Sequence, residues 1–214
     1  MKIKQLANNV LNFGINRVIE IVGLTIFMLG FLLLISLVSF SPDDPNFIFP
    51  KNTEINNFLG FRGSFTADFF FQSFGLIAFL IPLSLSCTGI NIIYNKKLFL
   101  IIESFFYTII YSLFGSLFFS IYYPNAFKLY INGNGGFIGK YLEASFFGSL
   151  IEIDSQIFYY LLVIIILILF SITIQFNLIS ISKFTKKIFK YFISKKEKNY
   201  TNENELIDNF IPQE

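Results

Sequence analysis

Histidine is absent from all 214 residues, tryptophan is absent too, and the one cysteine, Cys87, sits inside an apolar segment. Zinc sites, haem attachment, intramolecular disulfides and His-dependent catalysis are therefore excluded within this chain, and no metal or cofactor is expected. Charge is scarce as well, at 14% of residues, with two arginines against fourteen lysines. In place of these stand 31 phenylalanines and a hydrophobic share of 54%, for a mean hydropathy of +0.64. A soluble domain cannot hide that much apolar surface, so the bilayer is the solvent to reason with. The excess of Lys, Phe, Ile and Asn is the residue usage of an A+T-rich genome and carries no functional information.

Apolar stretches of spanning length run over 21–40, about 69–93, about 98–122 and about 157–181. Twenty residues rising about 1.5 Å each cross a hydrocarbon core of about 30 Å. The fourth stretch, IFYYLLVIIILILFSITIQF, is rich in β-branched residues but has no period-two alternation, so helix is expected over strand. The fold class read from the sequence is an all-α integral membrane protein, four transmembrane helices with short interfacial helices. Residues 137–153 space Ile138, Leu142, Phe146, Leu150 and Ile153 like one face of such an interfacial helix.

Orientation follows from the basic residues. With the N terminus inside, Lys2, Lys4, Arg17, Lys96, Lys97 and seven lysines from Lys183 to Lys198 fall on the cytoplasmic side, against Lys51, Arg62, Lys128 and Lys140 outside. Both termini are expected in the cytoplasm. The domain plan is a cytoplasmic segment 1–19, a membrane domain 20–182, a basic juxtamembrane segment 183–198 and an acidic tail or linker start at 199–214. In the basic segment Phe184, Ile188, Tyr191 and Phe192 share a helical face, which suits the inner leaflet better than nucleic acid. Direct DNA contact is not expected.

The third span places Ser104, Thr108, Ser112, Ser116 and Ser120 four residues apart. Small polar residues on one ridge let another helix approach closely, within the subunit first and between subunits as the alternative. Glu103, an acid about 9 Å along the helix from Lys97, is expected near the membrane surface with a hydroxyl or lysine partner, a proton relay being the other reading. Gly75 and Pro82 interrupt the second span, where proline removes a hydrogen bond and kinks the helix.

The first span ends in SFSPDDPNF. Pro42 and Pro45 deny N–H groups to a continuing helix, Asp43 and Asp44 resist entry into lipid, and Phe40 and Phe47 can settle at the membrane surface. With Ser39, Phe40, Pro42, Asp44, Pro45 and Phe47 this stop resembles the signature closing the first span of bacterial FtsK/SpoIIIE-type DNA translocases. NFLGFRGSFTAD follows, with Asn57, Gly60, Gly63, Ala67 and Asp68. Next comes FFQSFGLIAFLIPL, with Gly75 and Pro82, and then a glycine turn at Gly135, Gly136 and Gly139. The order is the family's own.

The resemblance implies a four-span anchor for a hexameric ATPase that pumps chromosomal DNA at the division septum. It also implies contacts with other cell-division membrane proteins and with further copies of itself, possible as a hexamer. No G-x-x-x-x-G-K-[ST] occurs in the chain, so the motor is expected to follow in cis or to be supplied in trans, and the chain is not expected to be an enzyme. No catalytic, cofactor-binding or metal residue is assigned. The alternative is a small transporter or channel subunit, for which only Glu103 and Pro82 offer a start.

Overall fold

The computed structural model describes residues 2–45, 54–124, 132–145 and 155–175, with side chains from Asn8 onward. Phe47, the 146–153 part of the expected interfacial helix, the end of the fourth span past Gln175, the basic segment 183–198 and the tail 199–214 lie outside the described residues. Among the described residues every regular element is helical, in the order α1 (Lys2–Val38), α2 (Gly60–Phe74), a 3₁₀ turn (Gly75–Phe79), α3 (Leu80–Asn95), α4 (Phe99–Tyr122), α5 (Gly136–Glu143) and α6 (Ser155–Thr173). Four helical stretches are long and apolar enough to cross a membrane. The chain is an all-α, multi-pass membrane protein.

Helix α1 packs chiefly on α3. Lipid tails are as apolar as leucine, so helices in a bilayer associate through close packing and interhelical hydrogen bonds rather than the hydrophobic effect. The α1–α3 crossing supplies the closeness: a Cβ added at Gly23 would stand 2.8 Å from the Gly89 carbonyl oxygen, and one at Gly30 would stand 2.9 Å from that of Pro82. Around it Leu33, Leu37, Ala67, Phe71, Ala78 and Ile81 are buried together. A second cluster joins α4 to α6 through Tyr111, Leu117, Phe118, Leu162 and Ile166.

The second apolar stretch is not one straight helix. Ser36 lies only about 9 Å along α1 from Gly30, at 1.5 Å per residue. Ser36 bonds the carbonyl of Gly63 at 2.6 Å, while Gly30 abuts Pro82 and Ser86. In a straight helix Gly63 would stand about 28 Å from Pro82. The chain must therefore swing aside between them, and it does so at Gly75, whose φ is 69°, and through the following 3₁₀ turn. The break is at Gly75 rather than at Pro82, which sits in the first turn of α3, where a missing N–H costs little. The 3₁₀ turn and α3 together rise about 34 Å, enough to cross, and α2 lies at the loop end of the bundle with Phe61, Phe65 and Phe69 exposed.

Three further bounds differ from the hydropathy reading. Helix α1 begins at Lys2, well before residue 21. Helix α6 stops at Thr173, where Gln175 turns to a φ of 51°. Helix α5 ends at Glu143, and its last carbonyls are met by the N–H groups of Ala144 and Ser145.

Candidate functional site

Two polar clasps close the loop end. The first is built from SFSPDDP and NFLG. Helix α1 ends because Pro42 follows: Asp44 N–H turns back to the Ser41 carbonyl at 3.2 Å, closing a turn with Pro42 at its first inner position. That turn buries the Asp44 side chain, whose Oδ1 accepts the N–H of Asn56 at 2.8 Å and its Nδ2 at 3.2 Å, while Oδ2 accepts the N–H of Asn57 at 2.9 Å. Asn57 in turn reaches back with Nδ2 to the carbonyls of Ser36, at 2.9 Å, and Ser39, at 3.2 Å. Those are carbonyls that the end of a helix leaves without partners. Asn57 Oδ1 accepts Leu59 N–H at 3.1 Å, starting α2.

Ser39 Oγ donates to the Ile35 carbonyl at 2.7 Å and accepts Phe58 N–H at 3.2 Å. Ser64 Oγ donates to the Pro45 carbonyl at 3.0 Å. Gly63 is small because Asn57 Oδ1 fills the space a Cβ would take. Phe40, half-buried, packs onto Phe71, ring centroids 4.8 Å apart. Asp68 is buried, with Gln72 Nε2 at 3.4 Å from its Oδ1.

The second clasp joins the glycine turn to the break in the second stretch. Leu76 N–H donates to the Asn134 carbonyl at 2.9 Å, and Asn134 Nδ2 donates to the Tyr123 carbonyl at 2.6 Å. Gly135 and Gly139 lie against Ser116 and Ser120 of α4, and a Cβ on Gly136 would stand 2.6 Å from the Ser73 carbonyl oxygen. The serine ridge is thus occupied inside one copy of the chain. Ser116 Oγ donates to the Phe74 carbonyl at 2.9 Å, Ser112 Oγ to that of Thr108 at 2.6 Å, Ser104 meets Thr88, and Ser120 meets Glu143. All five ridge residues are buried, so self-association needs another surface.

Beside the ridge, Ser84 Oγ and Tyr111 OH share a 2.8 Å bond across α3 and α4. Tyr111→Phe keeps the edge-on ring contact with Phe170 but strands the Ser84 hydroxyl. It is expected to lower stability by about 1 kcal/mol, read as an earlier midpoint in an SDS titration of micellar protein.

Sequence reasoning named Asp44, Asn57 and the glycines but missed Asn134, Ser36 and Ser64. An amide directly before Gly135–Gly136 was the available signal for Asn134. Glu103 is half-exposed, and the expected hydroxyl or lysine partner is not found among the described residues. At the opposite, hairpin end, Glu20 pairs with Arg17 and with Lys96. In the clasps the Asp44 carboxylate accepts from backbone N–H groups and the Asn56 amide, and the serine hydroxyls bond carbonyls or, at Ser120, the Glu143 carboxylate. Their chemistry is that of a scaffold.

The sequence from residue 16 to 186 matches the family described as the 4TM region of DNA translocase FtsK/SpoIIIE. The chain belongs to that family. Similar proteins include the DNA translocase FtsK of Rickettsia prowazekii (strain Madrid E), 31% identical over 87 residues, 39% of this chain and 12% of that protein. That of Rickettsia bellii (strain RML369-C) is 42% identical over 64 residues, 30% and 8% of the two chains. The matched segments thus span about a tenth of these relatives' length, and the 4TM match covers both clasps. No solved structure matches.

Proposed function

We propose that this 4TM region anchors a DNA translocase in the bacterial inner membrane and places it at the division septum, serving chromosome segregation. The match to the membrane region of FtsK/SpoIIIE over residues 16–186 carries the reading. In it the region does no chemistry of its own, and the ATPase motor acts in cis or in trans. Both termini lie in the cytoplasm: the hairpin end gathers Arg17, Lys96 and Lys97, in accord with the positive-inside rule. The clasped loop end then faces outward, where the exposed rings of Phe58, Phe69, Phe137 and Tyr141 give other division proteins a surface to meet.

The test is a fluorescent fusion of residues 1–214 followed in dividing host cells. Accumulation at midcell is expected. An even distribution round the envelope overturns the septal role while leaving the membrane fold untouched.

A further inference from the structure

A cleft of about 460 Å³ opens at the loop end between α2 and the glycine turn with α5, within the size range of small-ligand sites. Helix α2 builds one wall. Phe65, Asp68, Phe69 and Gln72 recur at three- and four-residue spacing and so share one face of that helix. Asn132, from the turn, and Phe137, from α5, line the other side, and Asn132 Nδ2 ties the walls together by donating to the Gln72 carbonyl at 3.3 Å. Three of these side chains are phenyl rings, Phe65 40%, Phe69 58% and Phe137 62% exposed, and they form the rim.

The polar groups below the rim are few and of one kind. Asp68 is the only charged residue in the lining, and it is 7% exposed. Beside it Gln72 directs Nε2 to Asp68, while its Oε1 is buried with no hydrogen-bond partner among the described residues. Native structures seldom leave such an acceptor open, and the terminal amide torsion is soft enough to turn it into the cleft. A carboxylate and a spare amide oxygen call for a cationic donor, and the faces of phenyl rings attract the same cation. Depth decides its source. The 3₁₀ turn and α3 that cross the membrane begin at Gly75, three residues past Gln72, so the cleft lies where hydrocarbon gives way to headgroups. An ammonium on an apolar stem matches an acidic floor under an aromatic rim, and the bilayer presents one at that level.

We infer that this cleft binds a phospholipid headgroup bearing a primary ammonium, as in phosphatidylethanolamine, its N–H groups directed to Asp68 and Gln72. Phe58 and Tyr141 do not line the cleft and stay open to protein partners, so the inference does not rest on the septal role. The test is native mass spectrometry of the 214-residue chain released from micelles, with phosphatidylethanolamine, phosphatidylcholine and phosphatidylglycerol of equal acyl chains added in equal amounts. Phosphatidylethanolamine is expected to be retained severalfold more than the other two, because trimethylation removes the donors and a glycerol headgroup lacks the charge. Asp68→Asn is expected to abolish that preference, and Phe69→Leu with Phe137→Leu, changes at exposed positions that keep apolar bulk, to weaken it severalfold. Equal retention of the three lipids, a preference for phosphatidylcholine, or a preference that survives the paired leucine variant overturns the inference. Retention of a short lysine peptide without any lipid preference overturns it too and assigns the cleft to a partner protein's side chain.

Discussion

Asp44→Ala is expected to destabilise the membrane fold by about 3 kcal/mol, because it removes one acceptor group and strands the backbone N–H groups of Asn56 and Asn57. Hydrogen bonds to a charged acceptor are worth more than neutral ones, and the Asp44 side chain is 2% exposed, so water cannot replace it in place. The loss propagates. Asn57 is held by Asp44 and itself holds the carbonyls of Ser36 and Ser39, so the end of α1 and the start of α2 loosen together. Asp44→Asn keeps the shape but turns an amide N–H₂ toward a donor, and is expected to recover less than half the loss. SDS titration of purified protein gives the energy, and protease cleavage of the 41–59 loop gives its location. If Asp44→Ala unfolds at the wild-type midpoint, the clasp is not what holds the loop end. If it also leaves midcell fusions in place, the signature serves neither stability nor recruitment.

Much of this arrangement was legible in the sequence, for identifiable reasons. Apolar runs and lysine placement are one-dimensional signals, so the spans and the hairpin at Lys96–Lys97 could be read directly. The stop after Phe40 could be read too, since proline acts on its own backbone. What could not be read is the pairing of Asp44 with Asn56 and Asn57, because the residues between them set no geometry visible in composition. The serine ridge announced close packing but not its partners, which come from α2, α3 and α5. Hydropathy marks the first span only from residue 21 because four asparagines dilute the first half of α1, though they leave its helical register intact. The swing of the second stretch was hidden because a hydropathy window sums over φ and ψ without sensing them. There Pro82 drew the kink that belongs to Gly75.

That glycine is where the largest single effect is expected. Gly75 has φ 69° and ψ −145°, a region open to glycine and closed to residues with a Cβ, at a strain of about 1–3 kcal/mol. A Cβ there would also lie 2.5 Å from the carbonyl carbon of Asn134, which is backbone and cannot rotate away. Gly75→Ala must therefore break either the turn or the Leu76–Asn134 bond, and the two penalties add to about 4 kcal/mol. Gly60 separates the causes. Its φ is 64°, but nothing stands within 4 Å of its would-be Cβ, so Gly60→Ala meets strain alone and is expected to cost about 1 kcal/mol. Both are measured by the yield of monodisperse protein in detergent and by the SDS midpoint. Equal losses at the two positions would mean that backbone strain alone matters at Gly75, and that the glycine turn is not seated against it. A much larger loss at Gly75 ties the glycine turn to the bend. The two clasps then form one continuous cap across α1, α2, α4 and α5, and the exposed aromatic rings of the loop end ride on a rigid base.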